Sequence, residues 1–229
     1  MKTLVKRCFI ATLPVMAGYV FLGTGFGMLM YAKGYGILWA AAMSIFIYAG
    51  SMQYLAVDLL CGGVNLITAA ITTLMVNARH LFYGISMIDT YKSCGWRKPY
   101  LIFALTDETY SLNCSGAPDD IQMPETYFFL VSLFNQCYWV AGSVLGVLVG
   151  TLLPVSTEGI DFALTALFVT VFVEQWKSTG DHIPALIGVF SSALCLLVFG
   201  PGNFLIPAML LITLALTLYR RKKEGCSHE

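Results

Sequence analysis

Two short polar stretches interrupt an otherwise apolar chain, and the charges they carry are opposite in sign. They lie within 72–84 (TTLMVNARHLFYG) and 105–110 (LTDETY). An arginine at the centre of a membrane helix costs roughly 2.5–3.5 kcal/mol, so one is retained where it faces a partner, a cavity or a substrate. We therefore predict that the two stretches form one polar centre. Its residues are Asn77, Arg79 and His80 from the first stretch, and Thr106, Asp107 and Glu108 from the second.

These residue types are suited to carboxylate binding and proton transfer. Arg79 presents a planar fork of donors that fits a carboxylate. His80 exchanges a proton near neutral pH, and intramembrane acids and histidines are usual components of proton relays. Because Asp107 and Glu108 are adjacent, they point apart, so one can pair with Arg79 while the other reaches a cavity. Two plainer interpretations stay open: Arg79 and Asp107 form a structural ion pair, and His80 only packs.

A regular helix cannot aim Asn77, Arg79 and His80 at one place, because neighbouring residues are about 100° apart around its axis. A continuous helix from about Asn65 to about Asp89 is long enough to span a membrane. Alternatively, the chain breaks at Asn77 and re-enters. Either the helix is broken here, or only part of the trio faces the site.

The composition is that of a membrane protein. Of the 229 residues, 58% are hydrophobic and 11% are charged, and the mean hydropathy is +0.75. Soluble domains carry about 25% charged residues, so this chain has too little polar surface to solvate a globule of its size. The formal net charge is zero, which gives no indication of nucleic-acid binding. An integral membrane protein in contact with the lipid bilayer is therefore expected.

The chain contains eight apolar segments, which predict an all-α integral membrane protein. We expect a bundle of seven or eight hydrophobic segments that forms a single transmembrane transporter domain over residues 1–229. Small and polar residues at 49–53 (AGSMQ) predict at least one broken or re-entrant helix, which is tolerated where it lines a cavity or is buried in protein. Gln53 either faces that cavity or joins two helices by a hydrogen bond. The segments are expected at about 9–31, 37–60, 65–89, 99–113, 126–153, 160–176, 183–199 and 204–219.

Basic residues flank both ends of the chain. Lys2, Lys6 and Arg7 precede the first segment, and 220–223 (RRKK) follow the last. Because cytoplasmic flanks carry an excess of Lys and Arg, eight crossings would place both termini in the cytoplasm. The basic loop at 92–98 would then lie outside, against the same tendency. A re-entrant third segment would bring this loop inside, but it would move the C-terminal tail outside unless another segment also fails to cross.

Sequence patterns of enzymes and metal sites are missing. The HExxH zinc pattern, the GxSxG nucleophile pattern and the phosphate-loop pattern are all absent, so we predict that the protein is not an enzyme. The seven cysteines include no CxxC spacing, and several lie in apolar runs, where cysteine acts as a small hydrophobe. Neither a metal ion nor another cofactor is expected.

Several motifs together resemble the AzlC-like branched-chain amino acid permease family. The specific part is Asn-x-Arg-His at 77–80 followed by Leu-Thr-Asp-Glu at 105–108. Asp58 departs from the pattern, because a small or apolar residue is expected there, and this departure bears on substrate preference. Further matching blocks occur in order along the chain, namely Gly23-x-x-Phe26-Gly27, Ala49-Gly50-Ser51-x-Gln53, Tyr83-Gly84 and Asp161-Phe162-Ala163.

The resemblance implies the large subunit of a two-component exporter. Such proteins act with a small hydrophobic AzlD-like membrane subunit. They export branched-chain amino acids, and in some relatives methionine, across the bacterial cytoplasmic (inner) membrane. Coupling to the proton gradient is expected, which agrees with the missing nucleotide-binding motif.

The residues and the resemblance together imply how a zwitterionic substrate would be held. Arg79, or a helix end near Gln53, would bind its carboxylate, and Asp107 or Glu108 would bind its ammonium group. His80 or one of the acids would carry the coupling proton. Two alternatives stay open: a membrane scaffold subunit that transports nothing, and a passive channel that does not respond to a pH gradient.

Overall fold

The computed structural model describes residues 2–118, 120–152, 179–200 and 204–225, with some positions between 162 and 177. These residues fall into two compact units, Met1–Leu167 and Phe168–Glu229. Every regular element in the described part of the chain is a helix, in agreement with the predicted all-α class. The single domain over residues 1–229 and the number of membrane crossings stay predictions.

The first unit contains two long α-helices and six short ones among its described residues, besides one 3-10 turn at Gly95–Arg97. In chain order these are α1 (Lys2–Ala32), α2 (Ile37–Phe46), α3 (Gly50–Cys61), α4 (Leu66–Val76), α5 (Arg79–Ser86), α6 (Lys98–Phe103), α7 (Asp107–Asn113) and α8 (Pro124–Leu152). The long helices α1 and α8 match the first and fifth predicted segments. The short helices come in consecutive pairs, and each pair corresponds to one predicted segment.

Helices α1 and α8 form the centre of this unit, because glycines let their backbones come close together. Gly23 and Gly27 of α1 lie against Gly142 and Gly146 of α8. A Cβ atom at Gly23 would lie 3.0 Å from the Ser143 backbone nitrogen, and one at Gly27 would overlap the carbonyl oxygen of the same residue. Small residues thus allow the backbones of α1 and α8 to approach closely at these two positions, as is common in membrane helix bundles.

The second predicted segment is broken, as expected, but the break begins earlier than predicted. Helix α2 ends at Phe46 and α3 begins at Gly50, so the break is at 47–49 and not at 49–53. Tyr48 has a φ of 45°, a left-handed conformation that is uncommon for residues other than glycine, and its ring is buried. Gly50 and Ser51 therefore start a helix and do not interrupt one.

The third and fourth segments are broken as well. Helix α4 ends at Val76 and α5 begins at Arg79, so the structure has the break at Asn77 and not the continuous helix. Helix α6 ends at Phe103 and α7 begins at Asp107, a break absent from the predicted segments. At 1.5 Å per residue, none of these short helices alone spans a hydrocarbon core of about 30 Å.

Two apolar cores hold the short helices against α1 and α8. One contains Phe26 and Trp139, whose ring centroids are 6.3 Å apart. The other is built around Phe128. Ala104 belongs to the first core and Leu105 to the second, so the break between α6 and α7 lies where the two cores meet.

The second unit contains two described helices, α9 (Ile183–Phe199) and α10 (Leu205–Gly225). They match the seventh and eighth predicted segments and pack against each other. Tyr219 Oη donates to Asp181 Oδ2 at 2.8 Å, which ties α10 to the start of α9. The predicted sixth segment, at about 160–176, lies mostly outside the described residues.

The outer surface of the first unit is suited to lipid. Within the described residues, α1 and α8 are long and apolar enough to cross a membrane, judged by length and composition. Large apolar side chains point outward from the shorter helices too: Leu38 is 84% exposed and Leu66 is 85% exposed. Because burying such a side chain is worth about 1.5–3 kcal/mol, a surface of this kind is costly in water and favourable in a bilayer.

Candidate functional site

The predicted polar centre forms at the starts of three short helices. Arg79 is the first residue of α5, Asp107 is the first of α7, and Ser51 is the second of α3. Arg79 Nη1 lies 2.5 Å from Asp107 Oδ2, and Arg79 Nη2 donates to Ser51 Oγ at 2.9 Å. The ion pair expected between the two polar stretches is present, and Ser51 joins a third helix to it.

This ion pair holds α5 in place by charge, because apolar packing contributes little. None of the residues of α4 and α5 is buried. The side chains of Arg79 and Asp107 are 33% and 24% exposed, so the pair is only partly open to its surroundings. Breaking a pair of this kind leaves one charge without its partner, which is strongly destabilising where the charge is buried.

Three buried polar atoms in and beside the pair make no hydrogen bond within the described part of the chain. They are Asn77 Oδ1, Arg79 Nε and Asp107 Oδ1. Buried polar groups are normally hydrogen-bonded. One of these atoms is a donor and two are acceptors, so together they suit a ligand that carries both an anionic acceptor and a cationic donor.

His80 lies beside this centre as the second residue of α5, just after the turn that joins α4 to α5. Its Nδ1 is 3.2 Å from the carbonyl oxygen of Asn77, and its ring lies 5.9 Å from the ring of Tyr83. Tyr83 in turn stacks on Tyr110 of α7, with 4.6 Å between the ring centroids. This stack joins α5 to α7 a second time, one helical turn beyond the ion pair.

Glu108 points away from the ion pair, as expected for a residue adjacent to Asp107. Its Oε2 accepts a hydrogen bond from Tyr19 Oη of α1 at 2.7 Å, and Tyr19 Oη lies 2.6 Å from Thr106 Oγ1. Thr106 caps α7, because its Oγ1 accepts from the backbone N–H of Thr109 at 3.3 Å. No Lys or Arg forms an ion pair with Glu108 in the part of the chain that the structure describes.

Gln53 lies apart from the polar centre and is fully buried against α8. Its Oε1 accepts from Trp139 Nε1 at 2.8 Å, and its Nε2 donates to Ser44 Oγ at 3.3 Å. Both ends of the amide are therefore used in contacts between helices. This is the interhelical role that the sequence left open beside a role in the cavity.

Several residues that hold the centre together were missed by the sequence prediction. Asn135 of α8 donates through Nδ2 to Thr109 Oγ1 at 3.0 Å, and hydroxyl and amide side chains of this kind are too common to be singled out by type. One signal was available: a threonine followed by two acidic residues is typical of a helix start, and this places Thr109 in the first turn of α7. The missed residues are Tyr19, Ser51, Thr109 and Asn135.

Asp58, the residue that departs from the family pattern, lies toward the far end of α3. Its Oδ1 is 3.7 Å from Lys33 Nζ, and its side chain is 60% exposed. Seven residues separate Asp58 from Ser51, which is about 10 Å along a helix. Asp58 therefore belongs to a surface ion pair and not to the polar centre.

The centre has the chemistry of a binding site. Arg79 and Asp107 offer charges of both signs, whereas the neighbouring Glu108 carboxyl points away from them and has a neutral hydroxyl as its hydrogen-bond partner. Among the described residues, no group of three or more His, Cys, Asp or Glu side chains is placed to bind a metal ion.

Comparison with known proteins identifies relatives over nearly the whole chain. A family model described as AzlC protein matches residues 14–153. The branched-chain amino acid transport protein AzlC of Bacillus subtilis is 43% identical over 220 residues, which cover 96% of this chain and 86% of that protein. An uncharacterized membrane protein of Helicobacter pylori is 41% identical over 219 residues, 96% of each chain.

A more distant similarity extends to the inner membrane protein YgaZ of Escherichia coli, which is 26% identical over 196 residues, 78% of each chain. No solved structure matches the chain significantly. The residues matched by the family model include both polar stretches, so the ion pair lies within the part of the chain that is similar to these relatives.

Proposed function

The chain belongs to the AzlC family, and on that premise we propose that it is a transporter subunit that moves branched-chain amino acids across a membrane. A relative with 43% identity carries the name of that activity. The apolar composition and the lipid-suited surface of the first unit agree with a membrane location.

The unsatisfied atoms around the ion pair are the observation that supports this substrate. An amino acid is a zwitterion, so it carries one carboxylate and one ammonium group on neighbouring atoms. Arg79 Nε would donate to the carboxylate, and Asn77 Oδ1 and Asp107 Oδ1 would accept from the ammonium group. The stacked rings of Tyr83 and Tyr110 offer an apolar surface beside this point for a branched aliphatic side chain.

Substrate would reach these buried atoms through a movement of α5 relative to α7. Transporters commonly hold substrate at discontinuous helices and move one part of the bundle against another. Because none of the α4 and α5 residues is buried, such a movement would expose little apolar surface. Arg79 and Asp107 would come together when the substrate is bound, and their separation would release the substrate.

We extend the proposal to the direction of transport, the coupling ion, the partner and the location. By its family resemblance the protein would export its substrate, use the proton gradient and act with a small hydrophobic AzlD-like subunit. The bacterial cytoplasmic membrane agrees with the name of the Escherichia coli relative, and both termini would lie in the cytoplasm. The exposed apolar residues of α4 and α5 provide a surface on which such a subunit could pack.

Leucine efflux from cells tests this function, with the small subunit co-expressed. We expect Arg79→Ala and Asp107→Asn to abolish efflux at normal protein abundance. The matched control is Asp58→Asn, which removes one charge from the exposed pair with Lys33 and should leave efflux unchanged. Unchanged efflux in both site variants would overturn the site. Efflux that does not change with the pH gradient would identify a passive channel. The absence of leucine movement in the wild type would identify a scaffold subunit.

A further inference from the structure

We propose that Glu108 is the proton-binding site of this transporter, and that a buried chain of hydrogen bonds links it to α8. This inference rests on the proposed proton-coupled transport. It separates the proton site from the Arg79–Asp107 substrate site, whereas the sequence left His80 and both acids as candidates. The chain of hydrogen bonds consists of Glu108, Tyr19, Thr106, Thr109 and Asn135.

Glu108 and Asp107 differ in the groups that oppose their charge. Asp107 lies 2.5 Å from the Arg79 guanidinium, so its negative charge is compensated and protonation would break that pair. The Glu108 carboxyl instead receives a hydrogen bond from the neutral Tyr19 hydroxyl. A sheltered carboxyl without a paired cation can exchange a proton without leaving another charge unpaired, which makes Glu108 the better carrier.

The hydrogen bonds run without a gap from Glu108 to the long helix α8. Tyr19 Oη is 2.7 Å from Glu108 Oε2 and 2.6 Å from Thr106 Oγ1. Thr106 Oγ1 is 3.0 Å from Thr109 Oγ1, and Asn135 Nδ2 donates to Thr109 Oγ1 at 3.0 Å. Thr109 and Asn135 are fully buried, and Tyr19 is 4% exposed, so solvent does not compete for these bonds.

The Tyr19 hydroxyl can satisfy both protonation states of Glu108 by rotating. When Glu108 is an anion, Tyr19 donates to it, while Thr106 and Asn135 both donate to Thr109. When a proton binds at Glu108 Oε2, the acid donates to Tyr19 Oη. Tyr19 then donates to Thr106, and Thr106 donates to Thr109. One O–H bond forms at Glu108 and no bond between heavy atoms changes, because each hydroxyl is both donor and acceptor.

Two buried polar atoms beside the chain make no hydrogen bond within the described residues. These are Tyr48 Oη and Asn135 Oδ1, and the side chains that carry them are 3% exposed and fully buried. Asn135 Oδ1 belongs to the amide whose Nδ2 donates to Thr109, so a turn of that amide would present an acceptor to the Thr109 hydroxyl. The chain therefore ends on a side chain that can act as donor or acceptor.

The substrate site and the proton site are adjacent in sequence and diverge in space. Asp107 pairs with Arg79 of α5 while Glu108 bonds to Tyr19 of α1, so one helix start connects both sites. A movement of α7 would change both sets of contacts together. Proton binding at Glu108 would in this way be coupled to amino-acid binding at the ion pair. The titratable and charged groups around Glu108 are Tyr19, Tyr48, Arg79, Tyr83 and Asp107.

Infrared difference spectra of the purified full chain, recorded between acidic and alkaline buffers, test the proton site without requiring transport. A band from a protonated carboxyl group should appear in the wild type, persist in Asp107→Asn and be lost in Glu108→Gln. Tyr19→Phe keeps the ring that packs 5.5 Å from Trp139 and removes only the hydroxyl. It should shift the band, because the carboxyl loses its hydrogen bond. A band that persists in Glu108→Gln, or one that Tyr19→Phe does not shift, would overturn the proposal.

Leucine counterflow in proteoliposomes separates this inference from the proposed function. Counterflow exchanges labelled for unlabelled leucine without a gradient, so it needs the substrate site but no net proton movement. We expect Glu108→Gln to retain counterflow and lose leucine accumulation driven by a pH gradient, and Asp107→Asn to lose both. Accumulation that survives in Glu108→Gln would overturn the proton site alone. Absence of counterflow in the wild type would overturn the transport function, while the infrared result would still decide the protonation of Glu108.

Discussion

Arg79 and Asp107 are each the first residue of a short helix, and their side chains form an ion pair of 2.5 Å. The helix dipole disfavours a cation at the first position of a helix and favours an anion there. Arg79 is thus placed where its own helix does not stabilise it, and its partner on α7 offsets that cost. A ligand carboxylate would find both the guanidinium and the positive end of α5 at this point.

The direct interaction between Arg79 and Asp107 should contribute measurably to the free energy of unfolding. In a double-mutant cycle of Arg79→Ala and Asp107→Ala, we expect an interaction energy of about 1–3 kcal/mol, because each single variant leaves a sheltered charge unpaired. Unfolding by SDS in mixed micelles measures this energy. The exposed Lys33–Asp58 pair is the control, at about 0–1 kcal/mol. Equal energies for the two pairs would contradict the prediction.

Enlarging a glycine between α1 and α8 should destabilise the first unit strongly. A Cβ at Gly27 would overlap the backbone of Ser143, whereas one at Gly18 has no atom within 4 Å. We expect Gly27→Ala to cost about 1–3 kcal/mol or more, because backbone atoms cannot move aside as flexible side chains do. Gly18→Ala should unfold like the wild type. Thermal unfolding in detergent, followed by size-exclusion chromatography, compares the two, and equal midpoints would disprove the close contact.

The sequence predicted the ion pair because charges at membrane depth need partners, and the stretch at 105–110 supplies acidic ones. The break at Asn77 was one of two alternatives that the sequence left open, since a regular helix could not bring its polar neighbours together. The sequence prediction places the break near Tyr48 too late. It treats Gly50 and Ser51 as helix breakers, whereas they begin α3, and the residue that adopts the unusual backbone is a tyrosine.

The hydrogen-bond chain behind Glu108 could not be read from the sequence, because its members come from distant parts of the chain. Tyr19 and Asn135 are separated by more than a hundred residues and meet through α7. Polar side chains within apolar helices are visible in a sequence, but their partners depend on helix rotation and register. Helix rotation and register are set by the packing of α1 on α8. The glycines of α1 indicate that the two helices approach closely, but they do not indicate the register.

Gln53 should act on stability and not on substrate affinity. In Gln53→Leu, the Trp139 indole N–H loses its acceptor in a fully buried position, which costs about 1–3 kcal/mol. The variant should therefore unfold at a lower temperature, while the folded fraction keeps the wild-type KM for leucine in counterflow. A raised KM at unchanged stability would instead place Gln53 in contact with the substrate.

Ser51 should affect substrate affinity, because it positions the Arg79 guanidinium. Its Oγ accepts from Arg79 Nη2 at 2.9 Å, so Ser51→Ala leaves that guanidinium held by Asp107 on one side only. Losing one hydrogen bond of about 0.5–1.5 kcal/mol should raise the KM for leucine by up to about tenfold, with a smaller effect on the maximal rate. Thr151→Val is the control, since the Thr151 hydroxyl is exposed and donates to the carbonyl oxygen of Leu148 on its own helix. Equal KM values for the two variants would mean that Asp107 alone fixes the position of Arg79.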